Sequence, residues 1–244
     1  MTDRACPPAL VARYLVAKQE LILRGYAREI FWQESLELAR LTEEGFLREA
    51  AWVVLTTGMR ERVIRAIFPA VSRAFFEWRS AARIVRDSGT CKDAALRVFG
   101  HRGKVDAIIR IAELVEHEGF DVLKDRVARD GTAALQTLPF IGPITSYHLA
   151  KNIGLDVVKP DRHLSRLASA TGFRSPLDLC KRISGAVGDK VSVVDIVLWR
   201  YAATHRDYLD FFGRPKNAGQ GATGGPIGVS RRRTAHAVRG SSLA

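Results

Sequence analysis

Cysteine is scarce in this chain, with Cys6, Cys91 and Cys180 alone in 244 residues. An odd, widely spaced set fits neither a disulfide framework nor a paired-cysteine metal site, and it points to a reducing compartment. Long apolar runs are missing too. None approaches the roughly 18 residues that a bilayer span requires, and the opening MTDRACPPAL lacks the apolar stretch of a signal peptide. The expectation is a cytoplasmic protein with no membrane partner. Strand-like alternation is rare, and no repeat of fixed period marks a solenoid. Acidic residues vanish from Gly213 onward, where Arg214, Lys216, Arg231, Arg232, Arg233 and Arg239 carry six of the chain's twelve net positive charges. That stretch also holds seven of the 20 glycines and hardly any large apolar residue. Such a composition cannot offset the entropy of ordering, so residues 213–244 are predicted to be a disordered basic tail. A tethering arm for a polyanion and a plain solubilising end both remain open.

The remaining residues, 1–212, have the makings of a folded body. A hydrophobic content of 47% is enough for one domain or two closely packed lobes. The net charge of +12 and a pI near 10.1 suit a polyanionic partner, nucleic acid ahead of an anionic membrane. Between Lys104 and Gly119 the apolar Val105, Ile108, Ile109, Ala112 and Val115 recur with the spacing of one helix face. Similar patterns run over about Pro8–Leu41, Phe46–Thr57, Glu61–Trp78 and Val191–Tyr208. Thr90 with Asp93 resembles a capping box, and Ser175-Pro176 followed by Asp178 gives a cap, a first-turn proline and an early acid. The fold class is all-α.

The most informative segment is LPFIGPITSYHLAKNIGLDVVKPDRHLSRL, Leu138 to Leu167. A helix around Thr132–Thr137 runs into a tight turn at Leu138–Pro143, and a second helix opens near Ile144. This helix-hairpin-helix would aim the backbone N–H groups of Gly142 and the next helix's first turn outward, where their partial positive charge suits a phosphate. Such contacts are blind to base sequence. After the hairpin helix ends near Gly154, Lys159-Pro160-Asp161-Arg162-His163 starts another helix with Asp161 in its first turn.

That combination resembles the DNA glycosylase superfamily named for its helix-hairpin-helix and its Gly/Pro-rich loop followed by an aspartate. Asp161 and His163 match the family's Asp-x-His pattern, and the distance from Gly142 to Asp161, 161 minus 142, is 19 positions, in the family's usual range. AWVVLTTGMRERVI, Ala51 to Ile64, resembles the first helix and loop of its catalytic lobe. FGHRGKVDAIIRIA, Phe99 to Ala112, resembles a later loop and helix. The likeness covers roughly Phe46 to Phe212. It implies a two-lobed helical glycosylase fold with the active-site cleft between the lobes, a monomer that acts on double-stranded DNA.

The resemblance makes Asp161 the catalytic carboxylate, and the chemistry of the reaction asks for one. Breaking an N-glycosidic bond builds positive charge on the deoxyribose, which a fixed anion stabilises while it aligns or deprotonates a water. The competing role is a plain helix cap, for which aspartate is a favoured residue. In family members that also cut the strand, a lysine follows the hairpin's second glycine by two positions, where this chain has Ile144. An alkyl side chain is no nucleophile, so the expectation is a monofunctional enzyme that leaves an abasic site, with Lys151 and Lys159 as less favoured substitutes. The family's four-cysteine iron–sulfur cluster has no counterpart, so no cofactor or metal is expected, although the resemblance admits a monovalent cation at the hairpin carbonyls.

The implied DNA contacts are Ile141, Gly142, Ile144 and Thr145 at the hairpin, with Lys104, Lys151, Arg162 and His163 around it and Arg60 and Arg62 nearby. Phe140 stands where the hairpin often has its first glycine. A glycosylase must flip its base out of the duplex and fill the gap. The wedge or pocket then draws on Thr56, Thr57, Gly58 and Met59 from one side and His101 and Arg102 from the other. Trp32, Tyr147 and His148 are further pocket candidates, with core packing as their competing role. The favoured substrate is a bulky modified pyrimidine such as glucosylated hydroxymethylcytosine in phage DNA, an antiviral function. A base-excision repair glycosylase for a small damaged base and a non-catalytic DNA-binding module are the alternatives.

Overall fold

A computed structural model describes residues 5–213; the predicted tail, Gly213 aside, lies outside them. All regular structure among the described residues is helical, so the class is all-α. In chain order the helices are α1 (Pro8–Leu21), α2 (Ala27–Ser35), α3 (Glu43–Thr56), α4 (Glu61–Ala74), α5 (Ala81–Arg86), α6 (Ser88–Val98), α7 (Arg102–Glu118) and α8 (Phe120–Asp130). They continue with α9 (Thr132–Leu135), α10 (Thr145–Asn152), α11 (Arg162–Ala170), α12 (Pro176–Val187), α13 (Val191–Thr204) and α14 (Tyr208–Gly213). No helix among them is long and apolar enough to cross a membrane.

The long helical pattern from Pro8 to Leu41 is broken in the structure. A π turn at Ile22–Tyr26 carries Gly25 at φ 93°, a left-handed backbone that a helix interior cannot hold, and α2 restarts on a new axis. The other long patterns are cut at similar places, at Phe75 after α4 and at His205 after α13. The capping signal at Ser175 matches the structure: its hydroxyl accepts the Asp178 N–H at 3.1 Å, and Pro176 opens α12. The one at Thr90 does not. Helix α6 begins at Ser88, and Asp87 both ends α5 and precedes α6, so Thr90 already lies inside the first turn with no cap to make.

Two separate hydrophobic clusters form. One draws on α3 to α10, including Phe46, Val54, Trp78, Ile84, Ile111, Leu149 and Ile153. The other joins α1 and α2 to the chain after residue 157, with Leu10, Tyr14, Leu21, Leu164, Leu179, Val194, Leu198 and Phe212. The two ends of the described residues thus close one cluster while the middle builds the other. The segment from α10 to α11 crosses from the first to the second. Across this seam Gln33 of α2 donates to the Lys151 carbonyl at 3.2 Å, while within the second cluster Arg200 of α13 makes two hydrogen bonds to Glu29 of α2.

Candidate active site

The hairpin turn is anchored by Leu138 and Ile141, both 3% exposed, so its two apolar legs sit in the first core. Its hydrogen bonds correct the expected phosphate contacts. The Ile141 N–H donates to the Leu138 carbonyl at 3.1 Å, and the Gly142 N–H donates to Thr145 Oγ1 at 2.7 Å. Both amides, and the Thr145 hydroxyl, are therefore engaged within the turn. The Ile144 and Thr145 N–H groups have no hydrogen-bond partner among the described residues. The helix start of α10 concentrates its positive end there, one step further along than Gly142. Ile144 itself points outward, about half exposed.

From α10 the chain turns back through Gly154. A Cβ at this position would lie 2.6 Å from the Glu37 carbonyl carbon and the Leu38 nitrogen, and φ is +92°, so only glycine fits. The loop that follows is tied to α13 at two points. Asp156 accepts the Ser192 N–H at 2.7 Å, and Asp195 Oδ1 accepts the Lys159 N–H at 3.2 Å. The other oxygen of Asp195 meets the Lys151 ammonium in a buried ion pair. Asp195 therefore links α10, the loop and α13 through one carboxylate. It gave a signal in the sequence that went unused, as the only acid within the apolar run VSVVDIVLW.

The loop delivers Asp161 to the N-terminus of α11. Its Oδ1 accepts the N–H groups of His163 and Leu164, each at 2.9 Å, which is helix capping. Its Oδ2 makes no hydrogen bond among the described residues, and the side chain is half-buried. One carboxylate oxygen thus fixes the helix while the second stays open to another group.

Several expected DNA contacts face inward. Lys151 is 5% exposed and paired with Asp195; burial draws its ammonium down to about 8. Lys104 is 3% exposed, and its ammonium donates to the carbonyls of Leu55 and Thr57. Neither meets solvent as a phosphate ligand, because each satisfies carbonyl or carboxylate groups that burial would otherwise strand. His163 packs its ring against Tyr208 at 5.7 Å, with Nδ1 buried and unpartnered, as is the Tyr208 hydroxyl. Arg162, Arg60 and Arg62 are exposed.

Lys104 has a different use. Its two bonds hold the end of α3 and the Thr57–Met59 turn against the start of α7, where His101 Nδ1 caps the helix by accepting the Lys104 N–H at 3.3 Å. Thr56 and Thr57 return their hydroxyls to carbonyls of α3, so neither projects a free group, whereas Met59 is 40% exposed. His101 stacks on Phe99 and meets the edge of Phe140 from the hairpin, with centroids 6.2 Å apart and rings at 86°. Exposed Arg102 follows His101 directly. Lys104 thus ties the loop after α3 to the start of α7, and His101 joins the loop before α7 to the hairpin.

The remaining pocket candidates separate. Tyr147 and His148 are half-buried on α10. Burial, with the charges of Lys159 and Lys151, pushes His148 down to about 3, so it is neutral at ordinary pH. Trp32 lines a different recess with Arg48, Glu49 and Asn152, which neither the hairpin nor Asp161 lines. Glu49 is held there between Arg48 and Asn152 Nδ2, and burial raises its carboxyl above the usual range.

The chain matches no family model, no curated protein and no solved structure.

Proposed function

We propose that the chain is a monofunctional DNA glycosylase that flips a modified base from duplex DNA and hydrolyses its N-glycosidic bond. The observation that carries this reading is Asp161: it follows the hairpin unit and splits its oxygens between a helix cap and an open position. The capping oxygen holds the carboxylate still, and the free oxygen is placed to steady charge on the sugar and to orient water. A rigid anion has an advantage over a mobile one, because no reorganisation is needed when positive charge develops.

Water is the nucleophile in this account. Ile144 has no amine, and Lys151 is committed to Asp195 within the protein interior. The attacking oxygen bonds to C1′, the C1′–N bond breaks, and the base leaves with its electron pair and takes up a proton; the strand stays whole with an abasic site. No redox cofactor enters these steps. The unpartnered Ile144 and Thr145 amides would grip a phosphate without reading sequence, while the loops around Met59, His101 and Arg102 would fill the gap.

The favoured substrate is a bulky modified pyrimidine such as glucosylated hydroxymethylcytosine, which would place a monomeric enzyme in cytoplasmic defence against phage DNA. A second reading is a DNA-binding module in which Asp161 only caps α11, and its two cap bonds are what favour that. The test is incubation with duplexes carrying oxidised, alkylated, mismatched or hydroxymethylated bases and with glucosylated phage DNA. The glycosylase reading expects alkali-labile sites on at least one substrate, an uncut strand before alkali, and no borohydride-trapped adduct. Activity on none would favour the binding module, and a trapped adduct would overturn the monofunctional mechanism.

A further inference from the structure

Phe140 is at odds with the needs of the fold. Its φ is +65°, a left-handed backbone that a residue with a Cβ adopts only at a cost, and a phenylalanine ring has no side-chain hydrogen bond to offset it. Its ring is 43% exposed, so burial gives little in return. The immediate surroundings are rigid: Leu138 and Ile141 are buried on either side in the chain. A Cβ added to Gly103 would lie 3.8 Å from the ring's Cε2 and 3.7 Å from Cε1 of His101, so both aromatics crowd the same first turn of α7. Glycine at position 140 would relieve the backbone and remove exposed apolar surface. Phe76, Glu77 and Trp78 also have positive φ, but Trp78 is buried in the first core, whereas Phe140 is exposed, and such conformations cluster at ligand sites.

We infer that Phe140, backed by the edge of His101, is a stacking platform for a nucleobase face exposed in duplex DNA when a neighbouring nucleotide is missing or displaced. This inference rests on the proposed DNA-binding role and adds a recognition residue to it. The neighbouring segments set the partner. Met59 in the loop after α3 and Ile144 at the start of α10 are exposed apolar residues, exposed Arg102 adjoins His101, and the unpartnered amides of α10 follow Phe140 by a few residues. A flat apolar ring among cations and free amide donors suits a base beside phosphates. An aromatic side chain can stack on any of the four bases, so Phe140 would recognise an unstacked step without choosing its sequence.

The test compares the full chain with Phe140→Gly and Phe140→Tyr on two duplexes of the same sequence, one intact and one with a tetrahydrofuran abasic analogue. Wild type should prefer the gapped duplex. Phe140→Gly should bind it about ten- to a hundredfold more weakly, the range expected for one stacked base, and bind the intact duplex as before. Phe140→Tyr should restore the preference, and Phe140→Gly should melt at or above the wild-type temperature. A clearly lower melting temperature would show that the ring serves the fold and would overturn the inference. Equal preference in wild type and Phe140→Gly would overturn it while leaving DNA binding intact. If wild type binds neither duplex, the DNA-binding reading fails and the platform fails with it.

Discussion

Asp195 and Lys151 share one buried contact, and removing either alone would strand the other's charge. Asp195→Leu and Lys151→Met are each expected to lose about 3–5 kcal/mol of stability, whereas the two changes together should cost much less than the sum of the single changes. Urea denaturation of the three variants checks this, and additive losses would contradict it. His148 makes a separate prediction. Its folded value, about 3, lies below that of the unfolded chain, about 6.5, so the unfolded chain binds the proton first on acidification. The contribution is intact above pH 6.5 and is lost as pH falls from there toward 3. Each unit is worth up to about 1.4 kcal/mol, so at pH 4.5 wild type should have lost up to about 2–3 kcal/mol more than His148→Gln, relative to each at pH 7. Equal acid sensitivity of the two proteins would contradict the assignment. At this scale the sequence was a partial guide. The helix start at Asp161 was legible because its segment is local, but residue type alone does not tell an exposed lysine from a buried one, and Lys104 and Lys151 took up carbonyl and carboxylate partners far away in the chain.

Helices are legible through their apolar spacing and less so through their ends. Ser175 could be recognised because cap, proline and acid lie within four residues, all local information. The junction at Asp87, where one helix stops and the next starts without a loop, carries no such signal. Gly25 breaks α1 from α2 although the apolar pattern runs through it, since periodicity reports burial and not axis direction. The turn at Gly154 was read only as a helix end. Its second role, close backbone contact with Glu37 and Leu38, depends on residues more than a hundred positions away. Gly154→Ala would add both a left-handed strain and a clash with backbone, and is expected to cost about 3 kcal/mol or more. Because this turn leads into the loop carrying Asp161, the surviving folded fraction should also excise poorly. A variant as stable as wild type in urea would show that the loop and the Leu38 turn can part without cost.

At the scale of the molecule, the all-α class followed from periodicity, whereas composition allowed one domain or two lobes and only the family resemblance implied two. What periodicity could not supply was the closing of one cluster by both ends of the described residues, a long-range outcome of packing. The net charge of +12 has a consequence that does not depend on any one residue. Binding to intact duplex should weaken steeply with salt, by about a thousandfold between ~50 and ~200 mM if ~6 phosphates are contacted. Salt-insensitive binding would argue against a polyanion partner. In the proposed mechanism Asp161 does chemistry as well as capping. Asparagine caps a helix about as well as aspartate but carries no charge. The most direct measurement is therefore single-turnover excision by Asp161→Asn beside its melting curve. Asp161→Asn should melt close to wild type with excision lost; normal excision, or a protein that unfolds, would rule out a catalytic Asp161.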